Sequence, residues 1–194
     1  MGVILTACHW WIVALWVTFV VYWAVAAISA GRGLKRSAFR GSMKLRLILM
    51  VVIVVAVALT RHSPALHALQ FRLFWSPPMA FAGAVIATLG AVLAFTARAV
   101  IGRNWGTPGM QRSDTELITR GPYALVRHPI YSGILLMMVG TATGLIFAWW
   151  LVAAAAGVYF IYSARAEERY MCDRFPDAYP AYRARTKMLV PFLF

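Results

Sequence analysis

Acidic residues are scarce in this chain of 194 residues, which has six aspartates and glutamates against 19 lysines and arginines. All six lie after position 113, so the first half offers no carboxylate for binding or catalysis. We therefore expect the first half to be scaffold and the second half to carry the chemistry. The six acidic residues are Asp114, Glu116, Glu167, Glu168, Asp173 and Asp177.

Cysteine is almost as rare. The two cysteines, Cys8 and Cys172, cannot form a framework of several disulfides. No Cys-x-x-Cys pair occurs, and no histidine and cysteine stand at a spacing typical of metal ligands. The sequence therefore predicts no metal site.

The net charge of +13 could indicate a nucleic-acid-binding protein, but the basic residues lie in short patches between long apolar runs. No recognised nucleic-acid-binding motif accompanies them. Hydrophobic residues make up 62% of the chain and the mean hydropathy is +0.72, far above the values of soluble domains. We expect no nucleic-acid partner, and an integral membrane protein whose basic loops face anionic lipid and the cytosol.

Four apolar runs lie at residues 3–28, 45–60, 79–101 and 130–162. A hydrocarbon core of about 30 Å needs about 20 helical residues. The last run is too long for one span and short for two, and the break at residues 141–144 indicates a tight helical hairpin. The prediction is an all-α membrane protein with five spans, or four if the last run is one long tilted helix.

The basic residues form four groups, at residues 32–46, 61–72, 98–127 and 165–187. Five spans place the three rich groups on one side and only Arg61 and Arg72 on the other. The positive-inside rule then predicts an external N-terminus and a cytosolic C-terminal tail. We expect one membrane domain over residues 1–194, with a two-helix scaffold at 1–78 and a catalytic region at 79–194.

Two polar clusters flank the last apolar run. The first is Arg-Gly-Pro-Tyr-Ala-Leu-Val-Arg-His-Pro-Ile-Tyr-Ser-Gly at 120–133, and the second is Arg-Ala-Glu-Glu-Arg-Tyr at 165–170. Ionisable groups are expensive to hold where lipid meets water, so such clusters indicate a functional site. A hairpin between them would bring them together on the cytosolic face.

These motifs resemble the hallmark of the isoprenylcysteine carboxyl methyltransferases, which is Gly-x-Tyr, Arg-His-Pro-x-Tyr-x-Gly, a helical hairpin and Glu-Glu. The Glu-Glu pair stands at 167–168, and Val-Pro-Phe follows at 190–192. The resemblance covers residues 95–194, with Pro176 where the family usually has glycine. Arg-His-Pro-x-Tyr alone also recurs in phospholipid methyltransferases and membrane sterol reductases. Three aromatic residues match the family's spacing: Phe175, Tyr179 and Tyr182.

The resemblance implies methyl transfer from S-adenosylmethionine to the carboxylate of a lipophilic acceptor such as a C-terminal prenylcysteine. The cofactor would enter from the cytosol and the acceptor from the bilayer. The residues expected to bind the cofactor are Glu116, Leu117, Tyr123, Leu125, Arg127, His128, Pro129, Ile130, Tyr131, Glu167 and Glu168.

The acceptor carboxylate is already ionised at neutral pH, so an orienting arginine is needed more than a general base. Arg98, Arg103 and Arg165 are candidates, and Asn104 could help to orient the acceptor. A phospholipid N-methyltransferase would instead act on a headgroup amine. A sterol reductase would use NADPH and would need further basic residues for its phosphate. A membrane protein without enzymatic activity would leave both polar clusters unexplained.

Glu167 and Glu168 are about 100° apart on a helix, so we expect only one of them to face the site. The resemblance favours Glu167 as the cofactor ligand. Glu168 is expected nearby, where it could merely pair with Arg165 or with the turn at Cys172. Tyr179 and Tyr182 are expected to pack or to anchor at the interface.

Overall fold

The computed structural model describes residues 2–30, 63–64, 76–105, 116–145 and 149–193. The apolar run predicted to span at residues 45–60 and most of the first two loops lie outside the described residues. The described part of the chain is helical, apart from turns and one isolated parallel bridge between Val126 and Lys187.

Five α-helices lie in the described ranges: α1 is Gly2–Ala30, α2 is Pro77–Ile101, α3 is Pro129–Gly144, α4 is Trp149–Arg174 and α5 is Ala178–Arg185. Two short 3-10 helices, Gly102–Asn104 and Gly121–Ala124, follow α2 and precede α3. Prolines stand in the first turns of α2 and α3, where the missing N–H has no helical partner to lose.

Two described stretches are long and apolar enough to cross a membrane, Gly2–Ala26 and Pro77–Ile101. They agree with the first and third predicted runs. The break predicted at residues 141–144 coincides with the end of α3, and α4 continues to Arg174, beyond the predicted end of its apolar run. The full count of five spans, and the hairpin as a pair of spans, stay predictions.

The helices α2 and α3 are in backbone contact. A Cβ atom added at Gly140 would lie 2.4 Å from the backbone nitrogen of Ala87, and one added at Gly90 would lie 2.6 Å from the carbonyl oxygen of Gly133. Such distances leave no room for a side chain. Small residues allow this close approach, which is a common way for helices to associate in membranes. The contact fixes the position of α3, which begins with Pro129, Ile130 and Tyr131 of the first polar cluster.

Helix α1 is attached to α2 and α3 by packing and by two indole hydrogen bonds. Ile12 is fully buried against Ala84 and Ala87 of α2. The indole N–H of Trp16 donates to the hydroxyl of Thr141 at 2.9 Å, and that of Trp11 donates to Thr88 at 2.9 Å. The outer surfaces of α1 and α2 expose large apolar side chains, which a membrane span requires: Val3, Val17, Val20, Phe81, Leu89 and Val92.

Candidate active site

The first polar cluster adopts an irregular path before it enters α3. Gly121 has a φ of 61°, a left-handed conformation that glycine adopts without strain, and it begins the short 3-10 helix. The chain then passes through Val126 and Arg127 to His128, after which α3 begins at Pro129. The second half of α4 carries Glu167 and Glu168 to the same place. The two polar clusters therefore meet, as the sequence predicts.

Arg127 is held by an internal network. Its Nε atom lies 2.6 Å from Oε1 of Glu168, and the two side chains are only 8% and 4% exposed. Its Nη1 atom donates to the carbonyl oxygens of Thr186 and, at 3.3 Å, of Arg183. This guanidinium connects α4 to the chain after α5. These bonds engage the Nε and Nη1 atoms of Arg127.

His128 lies between the two glutamates. Its Nδ1 atom is 3.4 Å from Oε2 of Glu167, and its Nε2 atom is 3.5 Å from Oε1 of Glu168. The second contact lacks the geometry of a hydrogen bond, so Nε2 is buried without a hydrogen-bond partner. Glu167 and Glu168 are neighbours on α4, yet both side chains reach the ring of His128. Which of them contacts a ligand stays a prediction.

The charges in this cluster shift the pKa values of its members. Burial lowers the pKa of His128, but the nearby carboxylates of Glu167 and Glu168 outweigh burial, and the net effect raises this pKa. Burial likewise raises the pKa of Glu168, but His128 and Arg127 outweigh it and the pKa is lowered. The cluster therefore favours a protonated imidazole at His128 and an ionised carboxylate at Glu168.

Tyr131 completes the cluster. Its ring stacks against His128 with centroids 5.6 Å apart and an interplanar angle of 8°, and against Phe160 at 4.6 Å and 13°. Its hydroxyl donates a hydrogen bond to Oε1 of Glu167. The side chain of Glu167 is 28% exposed against 4% for Glu168. Glu167 is thus the carboxylate of the pair that a ligand can reach.

Three buried tyrosines form a chain of contacts. The hydroxyl of Tyr182 donates to the carbonyl oxygen of Tyr123 at 2.6 Å, and the ring of Tyr179 packs edge-on against that of Tyr182. Burial raises the pKa of all three, to about 12 for Tyr182, so they stay neutral. Tyr179 and Tyr182 are packing residues, as predicted. Tyr123, expected at the cofactor, is 6% exposed and packs against Ala97 and Ile118.

The other residues expected at the cofactor lie around this core at different depths. Leu125 is 57% exposed and Glu116 is exposed, whereas Pro129 is buried and Leu117 and Ile130 are half-buried. The backbone N–H of Glu116 donates to Oδ1 of Asn104 at 3.3 Å. Asn104 therefore holds the chain that leads into the motif.

The acceptor candidates separate clearly. Nη1 of Arg98 donates to the carbonyl oxygen of Gly102 at 3.0 Å, and the guanidinium lies 4.5 Å from the ring centroid of Trp105. Its Nε atom is buried without a hydrogen-bond partner. Arg165 is exposed on α4, and the side chain of Arg103 lies outside the description. Among the described side chains of these arginines, that of Arg98 has a buried N–H group without a hydrogen-bond partner.

The segment that follows α5 was not predicted from the motifs. The backbone N–H groups of Arg127 and His128 donate to the carbonyl oxygens of Lys187 and Met188 at 2.8 and 3.1 Å. The hydroxyl of Ser132 donates to the carbonyl oxygen of Leu189 at 2.6 Å. Any residue can supply a backbone carbonyl group, so these acceptors could not be recognised by residue type. Only the Val-Pro-Phe match just beyond them indicated this part of the chain.

Comparison with known proteins identifies the family. The family model described as phospholipid methyltransferase matches residues 78–178, which is more than half of the chain and includes both polar clusters. The matched part begins at the start of α2 and ends at the start of α5.

Individual relatives share parts of the same region. Protein-S-isoprenylcysteine O-methyltransferase B of Arabidopsis thaliana is 33% identical over 115 residues, which are 57% of this chain and 58% of that protein. Methanethiol S-methyltransferase 1 of Bradyrhizobium diazoefficiens is 38% identical over 74 residues, 36% of this chain and 24% of that protein. The cobalt-zinc-cadmium resistance protein CzcN of Cupriavidus metallidurans is 32% identical over 98 residues, 49% of this chain and 45% of that protein.

The chain thus spans between about a quarter and three fifths of the length of these relatives.

In the part of the chain that the structure describes, no three histidine, cysteine, aspartate or glutamate side chains are placed to hold a metal ion. The resemblance to the isoprenylcysteine methyltransferases is confirmed by the relative from Arabidopsis thaliana together with the family model. The chain belongs to the phospholipid methyltransferase family.

Proposed function

We propose that this chain is an integral membrane enzyme that transfers a methyl group from S-adenosylmethionine to the carboxylate of a lipophilic acceptor, such as a C-terminal prenylcysteine. The observation that carries the proposal is the cluster of His128, Tyr131 and Glu167, which lies beside the apolar helices and leaves one carboxylate partly exposed. The cofactor enters from the cytosol and the acceptor enters from the bilayer.

The residues of the cluster fit the polar groups of the cofactor. Glu167 can accept hydrogen bonds from its ammonium group or ribose hydroxyls, because this carboxylate is 28% exposed. The unpartnered Nε2 of a protonated His128 can donate to its carboxylate. The stacked rings of Tyr131 and Phe160 offer an apolar wall. We do not assign Arg127 to the cofactor, since its Nε–H and Nη1–H groups are bound to Glu168 and Thr186.

The bound cofactor supplies an electrophilic methyl group on a sulfonium ion. An ionised carboxylate can attack it directly, so the protein needs to align the two reactants and keep water out. We assign the alignment to Arg98, whose buried Nε is unused. Arg98 follows Ala97, which packs against Tyr123 of the first polar cluster. The end of α2 that carries Arg98 therefore lies against this cluster.

The test compares Arg98→Ala and Arg98→Lys with Arg165→Ala, a matched control because Arg165 is exposed on α4. We expect Arg98→Ala to lower the turnover of a farnesylcysteine analogue while leaving the affinity for S-adenosylhomocysteine nearly unchanged. Lysine should restore only part of the rate, because it keeps the charge but loses the planar fork. Full turnover in Arg98→Ala, or an equal loss in Arg165→Ala, would remove Arg98 from this role.

Phospholipid N-methylation is the second candidate, favoured by the description of the matching family model. An acceptor panel with the farnesylcysteine analogue, an ethanolamine phospholipid and methanethiol separates the candidates. The thiol belongs in the panel because one relative is named for it. Methylation of the ethanolamine lipid without methylation of the carboxylate would transfer the proposal to the headgroup amine.

We further propose that the N-terminus lies outside and that the site faces the cytosol, because the three rich basic groups fall on one side if the chain has five spans. Cysteines introduced singly within 32–44 and within 183–187 should then react with an impermeant maleimide from the same side of sealed vesicles. Labelling from opposite sides would contradict this topology.

A further inference from the structure

The tail segment, residues 186–193, runs alongside the motif and into the groove between α3 and α4. Lys187 forms a parallel bridge with Val126, and the next residue accepts a hydrogen bond from His128. Leu189 then accepts from Ser132, which lies in the first turn of α3. Residues 187 to 189 of the tail therefore pair in order with residues 126, 128 and 132. The tail runs from the polar cluster towards the interior of α3.

The side chains of the tail become apolar in the same direction. Met188 and Leu189 are 9% and 4% exposed and form one cluster with Ala164 of α4. Leu135 of α3 and Ile161 of α4 pack against this cluster. Both lie inside the apolar run predicted for residues 130–162. The tail has therefore left the polar cluster by Leu189 and has reached the apolar part of α3 and α4.

The next four residues form a closed turn whose side chains face outward. The N–H of Leu193 donates to the carbonyl oxygen of Val190 at 3.2 Å. Phe192 has a φ of 66°, a conformation uncommon for residues with a side chain. Val190, Phe192 and Leu193 are 45%, 86% and 80% exposed. We call residues 190–193 the tip. No described residue covers these apolar side chains, although they follow directly from a buried apolar cluster.

Exposed basic side chains precede the tip in the sequence. They are Arg183 and Arg185 of α5 and Lys187 of the tail. An apolar turn that follows exposed basic residues is suited to an anionic bilayer surface, where the apolar side chains enter the acyl boundary and the cations meet phosphate groups. We propose that the tip inserts into the anionic leaflet beside α3 and α4 and anchors the tail there. This proposal rests on the membrane placement proposed above, and it does not depend on the methyl acceptor.

Site-specific fluorescence tests the insertion. In a Cys8→Ser, Cys172→Ser background, single cysteines at Phe192, Leu89 and Ala184 are labelled with an environment-sensitive dye and reconstituted in vesicles that contain phosphatidylglycerol. Leu89 is 61% exposed on α2 and reports membrane placement, whereas Ala184 is exposed on α5 and serves as the aqueous control. We expect doxyl-labelled lipid to quench the dyes at Leu89 and Phe192 several-fold more than the dye at Ala184. Aqueous iodide should show the reverse order.

The outcomes separate this inference from the membrane proposal. Lipid quenching at Leu89 with iodide quenching at Phe192 would overturn insertion of the tip and leave the membrane placement intact. Quenching of Phe192 by neither agent would mean that a protein surface, such as a second copy, covers the tip, and it would also overturn the inference. Iodide quenching at both positions would overturn both proposals. Leu193→Cys, at an equally exposed position, repeats the measurement if Phe192→Cys does not fold.

Discussion

Replacement of Glu168 by glutamine should mainly destabilise the protein, whereas the same change at Glu167 should mainly weaken cofactor binding. Glu168 is 4% exposed and lies 2.6 Å from Nε of Arg127, which is itself 8% exposed. Removal of one partner from a buried ion pair costs about 3–5 kcal/mol, because the other charge stays buried. Glutamine still offers an oxygen to Arg127, and Arg127 keeps its carbonyl partners. We therefore expect the lower end, about 3 kcal/mol.

Glu167→Gln is the matched variant, one residue away and identical in chemistry. Its carboxylate is 28% exposed, and glutamine can still accept from Tyr131. We expect a loss of stability of about 1 kcal/mol or less, the scale of one ordinary hydrogen bond. Loss of a charged partner for the cofactor should weaken binding of S-adenosylhomocysteine by about 1–3 kcal/mol. That corresponds to an affinity lower by about 5- to 150-fold.

Unfolding in detergent and calorimetry with S-adenosylhomocysteine measure both quantities for both variants. We expect Glu168→Gln to be the less stable variant and Glu167→Gln to be the weaker binder. This expectation would be refuted if Glu168→Gln kept the parent stability and lost the cofactor, or if Glu167→Gln were the less stable of the two. The first result would make Glu168 the ligand and the Arg127 pair dispensable.

Two further predictions concern pH and packing. The pKa of His128 is raised above 6.5, so its stabilising contribution is complete below pH 6.5 and is lost as the pH rises through the raised value. The pKa of Glu168 is lowered below 4.5, so its stabilising contribution is complete above pH 4.5 and is lost as the pH falls through the lowered value. Unfolding measured across this range should show both losses, and His128→Asn should flatten the alkaline one; an unchanged alkaline limb would contradict the assignment. Gly140→Ala should destabilise the contact between α2 and α3 because its Cβ would lie 2.4 Å from Ala87, while Gly157→Ala, whose Cβ would meet only Leu135 at 3.9 Å, should be neutral or stabilising by up to about 1 kcal/mol. Equal stabilities of the two alanine variants in detergent would contradict the close approach of these helices.

The positions of the main helices were predictable because apolar composition and proline mark them. The run predicted at 79–101 differs from α2 only by the two prolines of its first turn, and the end of α3 lies at the predicted break. Helix α4 exceeds the apolar run that was used to predict it. Its polar continuation is rich in alanine, glutamate and arginine, which are good helix formers, so hydropathy alone could not mark its end.

The motifs predicted that some of these side chains would come together, but they did not predict every contact among them. The motifs selected His128, Tyr131 and Glu167, which the structure places in contact. Helical spacing suggested that Glu167 and Glu168 diverge, whereas both side chains reach the ring of His128. The engagement of Arg127 by carbonyl oxygens of the tail has no sequence pattern, since every residue has a carbonyl group. Contacts to side chains could be inferred from residue types, and contacts to the backbone could not.

Binding of S-adenosylmethionine to the cluster of His128, Tyr131 and Glu167 can be measured by calorimetry of the purified protein in detergent, with S-adenosylhomocysteine and with NADPH as ligands. We expect saturable binding of S-adenosylhomocysteine that weakens by about 5- to 150-fold in His128→Ala and in Glu167→Gln, and no binding of NADPH. Binding of NADPH without binding of S-adenosylhomocysteine, or parent affinity for S-adenosylhomocysteine in both folded variants, would contradict this expectation.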